Sequence, residues 1–278
     1  MKKFFLLLTL LCLSLSARAH DAEVDGIFYN LNAANKTATV TFKGDNYWDD
    51  DEYSGDVVIP ETVTYNGITY SVTSLGEWCF ASCSSLTAIT IPNSVTSLRS
   101  SCFYDCSSLN SITIPNSVTS LGSYCFNGCS SLTAITIPNS VKSLGYGCFW
   151  DCSSLTAITI PDSVKSLGDY CFYDCSSLTS IYMLPSTPPR SGNWRYDDTP
   201  LETIYVVDED AKTAYQSHNP WSAYEIVVMP TGIEEVGTDK TAPTIVGYYG
   251  LNGKLINGKQ RGAVIVRYAD GTTRKMLK

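Results

Sequence analysis

Residues 79–101 read CFASCSSLTAITIPNSVTSLRSS, and this 23-residue pattern returns as CFYDCSSLNSITIPNSVTSLGSY (102–124), CFNGCSSLTAITIPNSVKSLGYG (125–147) and CFWDCSSLTAITIPDSVKSLGDY (148–170). A fifth copy begins at Cys171 as CFYDCSSLTSIYMLPSTPP and then loses the pattern. A fixed period of this length is typical of a solenoid in which each repeat forms one coil of chain. Equivalent side chains then stack in columns, and function must lie on the faces, edges or ends of the stack.

One strand per coil is predicted by the motif L-x-x-I-x-I-P. In the first copy Ile89 and Ile91 alternate with Thr90, so both isoleucines point into the core while the threonine faces outward. Pro92 has no backbone N–H and ends the strand. Val95 is then expected to return to the core along a short, weakly β segment.

The phenylalanine of each CF motif, such as Phe103, is predicted to fill the far side of the core. Glycine permits the next bend of the chain at positions 122, 145 and 168. A single coil holds too few apolar side chains to offset the entropy of ordering its backbone. Only a stack of coils is therefore expected to be stable, and both of its ends need caps.

The N-terminal cap is predicted within residues 20–55, where GIFYNLN and TATVTF suggest a β-hairpin around Asn35-Lys36. Residues 56–228 form the predicted solenoid together with its C-terminal cap. Its first coil is interrupted by a hairpin at Asn66-Gly67, because this dipeptide favours a tight two-residue turn.

The C-terminal cap is predicted from the residues that follow the last repeat. TPLETIYVV (199–207) supplies a last strand, and DEDAKTAYQ (208–216) suits a short helix with Asp208 as its N-cap. Trp221 and Ile226 are expected to cover the final coil. Beyond them we expect a linker (229–243) and a small β element (244–278) with turns at Asn252-Gly253 and Asp270-Gly271.

The first residues resemble a secretory signal peptide. Lys2 and Lys3 precede an apolar run that ends near Leu15, and Ala17-Arg18-Ala19 has the form of a cleavage site. The run is shorter than the ~20 apolar residues that span a bilayer, and no later segment is apolar enough to do so. Residues 1–19 are therefore predicted to be a signal peptide, and the mature chain is predicted to be exported without a transmembrane helix.

The formal net charge of −8 argues against nucleic acid as a partner, because nucleic-acid binding needs a basic face. Acidic residues crowd the start of the predicted mature chain, basic residues crowd its end, and the repeats between them are nearly uncharged. Abundant Gly, Ser and Thr, without a long helical period, indicate a β-rich fold.

The repeats resemble the BspA-type leucine-rich repeat surface proteins, through the string SSLTAITIPNSVTSLG and the prelude YSGDVVIPETVTYNGITYSVTSLG. The resemblance covers about residues 24–228. It implies a leucine-rich repeat solenoid, right-handed and curved, with a parallel sheet on its concave face and a role in adhesion or interaction at a surface. The family usually has alanine before the phenylalanine, whereas this chain has cysteine in all five copies.

The tail, GYYGLNGKLINGKQRGAVIVRYADGTTRKMLK, is similar to the C-terminal sorting domains of type IX secretion cargo. This similarity is shorter than that of the repeats. It implies passage across the outer membrane and attachment at the cell surface. Retention in the periplasm is the alternative.

Ten cysteines stand in two columns of five, which begin at Cys79 and Cys83. Neighbouring coils lie about one strand spacing apart, ~4.8 Å, which is within disulfide reach. Pairing within a column would leave one thiol over in each, so free buried thiols, which pack well as small apolar groups, stand beside disulfides as interpretations. Zinc held by Cys79, Cys83, Cys102 and Cys106 is a third.

Signals for catalysis or a cofactor are poor, so we predict neither. The predicted mature chain has two histidines, His20 and His218, and no phosphate-binding or dinucleotide motif. A copper site at these two histidines and a calcium site in the acidic run that holds Asp45, Asp49, Asp51 and Glu52 are alternatives. A polar loop histidine and a solvated acidic loop are the simpler interpretations.

Two outer surfaces can be compared in the sequence. The outward strand positions carry a uniform array of Thr, Ala and Ser, which suits either strand formation or a repetitive ligand such as ice or a polymer. Variation concentrates around the CF motif, where aromatic rings stand beside carboxylates, a combination typical of contact surfaces. We predict a binding strip there: Tyr104, Trp150, Tyr173, Asp105, Asp151 and Asp174. Shielding of the coil edge is the alternative role for these side chains.

The sequence therefore predicts a non-catalytic surface or secreted protein, monomeric by default, that binds a protein or glycan of a host or neighbouring cell. Two other hypotheses remain. One is a passive surface component without a specific ligand, and the other is an enzyme that uses His218 of the C-terminal cap.

Overall fold

The computed structural model describes residues 20–44, 53–192 and 199–229, and the backbone of three strands within 245–277. The predicted signal peptide, the acidic run that begins at Asp45, residues 230–243 of the predicted linker and the predicted turns at Asn252-Gly253 and Asp270-Gly271 lie outside the described residues.

The strands and the helix follow the predicted order along the chain. They are β1 (Ala22–Val24), β2 (Ile27–Asn32), β3 (Thr37–Thr41), β4 (Gly55–Val58), β5 (Thr62–Tyr65), β6 (Ile68–Leu75), β7 (Leu86–Thr90), β8 (Ser97–Leu98), β9 (Ser111–Thr113), β10 (Ser120–Leu121), β11 (Ser143–Leu144), β12 (Ala157–Ile160), β13 (Ser166–Leu167), β14 (Ser180–Met183), β15 (Arg190–Ser191), β16 (Thr203–Val206), α1 (Glu209–Gln216), β17 (Glu225–Val228), β18 (Ile245–Gly250), β19 (Ala263–Tyr268) and β20 (Thr273–Leu277). A single 3-10 turn, Trp221–Ala223, precedes β17.

The N-terminal end is closed by hairpins, as predicted. Strands β1, β2 and β3 pair antiparallel in order, and β3 then pairs parallel with β6. The hydroxyl of Tyr53 donates to the carbonyl of Thr41 at 2.8 Å and accepts from the N–H of Phe28 at 3.1 Å. Strands β5 and β6 form the predicted hairpin, with Asn66 and Gly67 both at positive φ, 48° and 76°, as a tight hairpin turn requires.

Two parallel ladders run along the solenoid. The predicted L-x-x-I-x-I ladder consists of β4-β7-β9 and β12-β14-β16-β17, which are joined through single bridges at Thr136. The return segment, expected to be only weakly β, forms a second ladder: the Ser-Leu pairs of β8, β10, β11 and β13 continue the sheet that begins with β1, β2, β3 and β6. The stacked, parallel coils of the predicted β-rich solenoid are therefore confirmed.

A third set of hydrogen bonds joins the coils at the CF motif, where no strand is assigned. The N–H of each CF phenylalanine donates to the carbonyl of the cysteine one coil further on, at 2.8–2.9 Å, from Phe80 through Phe149. Sequence patterns did not reveal this connection, because the segment does not alternate like a strand. It ties each coil to the next at a third position, separate from the two strand ladders.

The core is a set of columns with identical side chains, as the repeat predicts. Phe80, Phe103, Phe126, Phe149 and Phe172 are fully buried. Their ring centroids lie 5.3–5.6 Å apart and their planes within 5–6° of parallel. The leucine, isoleucine and valine columns are buried beside them. The hydrophobic spine therefore runs without a break from coil to coil.

The glycines after the Ser-Leu pairs have a different role from the predicted one. Gly122 does not have the positive φ that only glycine adopts readily. Instead, a Cβ at Gly122 would lie 2.5 Å from both the carbonyl carbon of Arg99 and the nitrogen of Ser100 in the preceding coil. Gly145 and Gly168 meet the preceding coil in the same way. Glycine is needed there because the backbones of successive coils approach too closely for a side chain.

The C-terminal cap contains the predicted helix. The side chain of Asp208 caps α1 by accepting from the N–H of Ala211 at 2.7 Å. Trp221 is buried and packs edge-to-face on Tyr215. The prediction that residues 199–207 supply the last strand is wrong: β16 is followed by β17, which adds one more parallel strand. Sequence analysis missed β17 because its surroundings no longer carry the repeat pattern.

The C-terminal β element is a three-stranded antiparallel sheet. Strand β19 pairs with β18 on one side and with β20 on the other. This confirms the predicted β content of the tail.

We expect the substitution Gly122→Ala to destabilise the solenoid, because backbone atoms of the preceding coil occupy the space of the new methyl group. Overpacking costs about 1–3 kcal/mol, and we expect the upper end because neither backbone can move alone. The thermal unfolding midpoint, followed by circular dichroism, should fall by roughly 6–10 °C.

The control substitution for Gly122→Ala is Gly67→Asn, at a glycine with open space around its Cβ position and a φ of +76°, which asparagine tolerates. It should shift the midpoint by no more than about 2 °C. Equal midpoints for the two variants would contradict the close-approach role of Gly122.

Candidate binding edge

The CF corner of each coil places two residues in the left-handed backbone region. The first column consists of the residues immediately before the first cysteine of each CF motif, with φ of 53–59°. The second column consists of the residues two positions after the phenylalanine, with φ of 54–70°. The first column is Trp78, Ser101, Tyr124, Gly147 and Tyr170, and the second is Ser82, Asp105, Gly128, Asp151 and Asp174. The first four residues of each column donate their N–H groups to the next coil, at 2.7–3.2 Å.

The second column explains part of the predicted strip. Asp and Gly are residues that adopt the left-handed region at low cost. The aspartates of the strip therefore meet a backbone requirement in addition to any binding role. Each of these aspartates directly follows an aromatic residue in sequence: Tyr104, Trp150 and Tyr173.

Five aromatic side chains form a continuous surface from the end of the second repeat to the start of the fifth. Trp150 lies 4.7 Å from Tyr173 and 5.9 Å from Tyr170 between ring centroids. Tyr124 and Tyr146 extend this surface, with centroids 5.1 Å apart, and Tyr146 lies 5.4 Å from Tyr170. All five rings are partly exposed. We call this surface the aromatic edge: Tyr124, Tyr146, Trp150, Tyr170 and Tyr173.

The structure brings only part of the predicted strip together. Trp150 and Tyr173 belong to the aromatic edge. Tyr104 instead pairs with Trp78 at 5.3 Å, and between Tyr104 and Trp150 the same column holds Asn127, which is buried. The six predicted residues therefore lie along one side of the solenoid, but their rings form two groups.

Sequence analysis left three tyrosines out of the strip. Tyr124 and Tyr170 precede the cysteine, and Tyr146 stands one position earlier in its repeat, next to Gly147. A Cβ at Gly147 would lie 2.8 Å from Tyr124 Cε1 and 3.3 Å from Trp150 Cε3. The sequence signal for this contact was the end of the third repeat, where tyrosine stands one position earlier than in its neighbours and glycine takes its usual place. The missing side chain at Gly147 leaves room for the rings to meet.

The carboxylates of the strip act on one another. Partial burial, followed by the negative charge of Asp174, raises the pKa of Asp151. Partial burial and then Asp151 raise the pKa of Asp105 in the same way. Lys165 with Asp162, at 3.6 Å, is the one ion pair among the described residues, so this acidic column has no basic partner there.

The outer face of the L-x-x-I-x-I ladder, predicted to be a uniform array of small residues, carries aromatic rings at its C-terminal end. Its threonine column, from Thr90 to Thr159, continues in register into Tyr182 and Tyr205. These two rings stack with centroids 4.8 Å apart and planes 13° from parallel. They are a second aromatic surface, which the degraded fifth repeat concealed.

All ten described cysteines are buried thiols. The thiols of Cys106, Cys129, Cys152 and Cys175 donate to carbonyls of CF phenylalanines in preceding coils, at 3.0–3.2 Å. Within the other column, the Sγ atoms of Cys79 and Cys102 are 3.3 Å apart. The thiols therefore serve as small core groups, and one column of them also links the coils.

The described part of the chain contains no group of three or more His, Cys, Asp or Glu side chains suited to hold a metal. The zinc alternative at Cys79, Cys83, Cys102 and Cys106 therefore lacks its ligand group. The calcium alternative falls on residues outside the description.

The copper alternative, at His20 and His218, is wrong because the two histidines lie at opposite ends of the solenoid. His20 packs on Phe28 in the N-terminal cap at 4.9 Å, whereas His218 follows α1 in the C-terminal cap.

Parallel coils of this length, with their ladders and columns, define a leucine-rich repeat protein. The sequence matches the family model described as "BspA type Leucine rich repeat region", in six copies, over residues 61–179 and 100–218. The chain belongs to the BspA-type leucine-rich repeat family. Among curated proteins, none matches the chain significantly.

Three solved structures of bacterial leucine-rich repeat proteins are similar to the chain. The leucine-rich repeat protein of T. pallidum is 24% identical, with a TM-score of 0.55 over 67% of this chain and 84% of that chain. A leucine rich cell surface protein from Faecalibacterium prausnitzii is 24% identical, with a TM-score of 0.49 over 91% and 59% of the two chains. A leucine-rich repeat protein from Bacteroides ovatus is 22% identical, with a TM-score of 0.40 over 76% and 68%. The first of these similarities shows the fold.

Within the described residues, no helix has the length and apolar character needed to cross a membrane.

We expect the folded chain to lose stability as the pH rises above about 9. Burial is the main cause that raises the pKa of seven thiols: Cys102, Cys106, Cys129, Cys148, Cys152, Cys171 and Cys175. An unfolded chain releases these protons near pH ~8.5, while the folded chain keeps them. This stabilisation is complete below the unfolded pKa and is lost as the pH rises towards the folded values.

The thermal unfolding midpoint should therefore fall between pH 8 and pH 10. In the matched variant, Cys106→Ser, Cys129→Ser and Cys152→Ser replace three titrating thiols by hydroxyls that still donate to the phenylalanine carbonyls. The midpoint of this variant should depend less steeply on pH. A midpoint that stays constant between pH 8 and pH 10 would contradict the account.

Proposed function

We propose that the chain is an exported, non-catalytic binding protein whose aromatic edge contacts a protein or glycan on the surface of a host or neighbouring cell. Membership of the BspA-type family supports an interaction role. The signal-peptide pattern of residues 1–19 supports export. The sorting-domain similarity of residues 244–278 supports display at the cell surface, with the periplasm as the alternative location.

The observation that carries the proposal is the backbone beneath two of the rings. Tyr124 and Tyr170 have a φ of 56°, a conformation that costs a residue other than glycine about 1–2 kcal/mol. Gly147 and Ser101 occupy the same column in other coils, so the fold does not need a ring there. A bulky side chain kept on an unfavourable backbone points to a role for its exposed surface.

The core gives the rings no packing role of their own. The CF phenylalanines fill the interior behind this corner and are fully buried, whereas the aromatic edge is partly exposed. Tyrosine and tryptophan at such positions offer rigid contact area that loses little entropy on binding. The acidic column of the predicted strip, Asp105, Asp151 and Asp174, borders the rings and extends the proposed site towards Tyr104.

Binding can be tested with the mature chain on an array of purified proteins and glycans. We expect saturable, selective binding, and we expect the triple substitution Tyr146→Ala, Trp150→Ala and Tyr173→Ala to weaken it at least about 30-fold, as loss of an interface centre does. The control is Tyr182→Ala with Tyr205→Ala, which removes stacked rings from the ladder face. Both variants should retain the circular dichroism spectrum of the parent chain.

The alternative outcomes are distinct. Unchanged affinity of the folded triple variant would refute the aromatic edge as the site. Loss of binding in the control alone would move the site to the ladder face. Absence of saturable binding to any array member would favour the passive surface component.

A further inference from the structure

The acidic column and the aromatic edge are arranged in a regular way. Asp151 and Asp174 directly follow Trp150 and Tyr173 in sequence, and the N–H of Asp151 donates to the carbonyl of Tyr173 at 2.9 Å. Both aspartates have a left-handed backbone, with φ of 54° and 59°. The fourth and fifth coils therefore each present a ring and then a carboxylate, one coil spacing of about 4.8 Å apart.

Negative charge borders the aromatic edge on more than one side. Asp169 lies close enough to Tyr146 to contribute to the raised pKa of that phenol, after desolvation and the influence of Tyr124 and Tyr170. The carboxylates of Asp105 and Asp151 also act on Tyr104, whose pKa is raised mainly by burial. In the described part of the chain no basic side chain is paired with any of these aspartates.

Such a surface discriminates between partners by charge. A guanidinium or ammonium group can lie over a tryptophan or tyrosine face while it donates to a neighbouring carboxylate. It would also relieve the repulsion between carboxylates on successive coils. A phosphate-bearing or acidic-sugar partner would increase that repulsion, and a neutral glycan would leave it unchanged.

We infer that the partner of the aromatic edge is a protein segment bearing arginine or lysine side chains, which seat against Trp150 and Tyr173 and pair with Asp151 and Asp174. This inference rests on the proposed function and names the chemistry of its ligand. Surface charge pairs are individually weak, so several cations along one segment are needed to engage successive coils.

The probe is a synthetic eight-residue peptide that alternates arginine and threonine. A peptide of the same length that alternates glutamate and threonine, and the neutral sugar chitohexaose, serve as comparisons. The double variant Asp151→Asn with Asp174→Asn removes both charges and keeps the backbone, because asparagine tolerates the left-handed region. Asp162→Asn with Asp210→Asn makes the same change in net charge at exposed sites away from the edge.

We expect the arginine peptide to bind the mature chain in calorimetric titration and the glutamate peptide not to bind. The Asp151/Asp174 variant should lose roughly 3- to 30-fold in affinity, and the control variant less than about 2-fold. Raising the salt concentration from 50 to 300 mM should weaken binding to the parent chain and affect the Asp151/Asp174 variant less.

Three results would overturn the inference: no binding of the arginine peptide at 1 mM, equal binding of the glutamate peptide, or equal loss in the control variant. Chitohexaose binding that depends on Trp150 and Tyr173 but not on the aspartates would also overturn it, while supporting the proposed function. A different result would contradict the proposed function itself: binding to the protein and glycan array that is lost in the Asp151/Asp174 variant but kept in the triple aromatic variant.

Discussion

The close, in-register contact between successive coils is the constraint on which the rest of the structure depends. Each coil donates hydrogen bonds to its neighbours along the two strand ladders and at the CF corner, and its phenylalanine stacks on the next at 5.3–5.6 Å. After the Ser-Leu pairs of β10, β11 and β13, the backbone lies too close to the preceding coil for a side chain, whereas Arg99 follows the pair of β8. The glycines after the Ser-Leu pairs, such as Gly122, meet this requirement.

The same constraint shapes the surface that we propose for binding. Each CF corner has two residues in the left-handed region, and in all corners but the last these residues donate their N–H groups to the next coil. Where the sequence places Gly or Ser, as at Gly147, the corner meets only the needs of the fold. Where it places Tyr124 or Tyr170, it accepts backbone strain and gains an exposed ring. Scaffold and candidate site are therefore built from the same few positions of the repeat.

The repeat made most of the fold predictable. Its period gave the solenoid, the alternation of Ile89 with Thr90 gave the inward face, and Asn66-Gly67 and Asp208 gave a hairpin and a helix cap. Strand β17 and the role of Gly122 could not be predicted, because the first lies outside the pattern and the second depends on distances between coils. The binding strip was only partly visible, since Tyr146 reaches the other rings through three-dimensional contact rather than a shared repeat position.

Excision of one complete coil tests the central claim most directly. Removal of residues 125–147 joins Tyr124 to Cys148 and restores the 23-residue pattern across the junction. The account predicts a chain that still unfolds in one cooperative thermal transition by circular dichroism, at a lower temperature because one interface between coils is lost. Removal of residues 125–135 alone, about half a coil, should abolish that transition. If the half-coil deletion unfolds as cooperatively as the whole-coil deletion, or if neither folds, the stacked-coil account is contradicted.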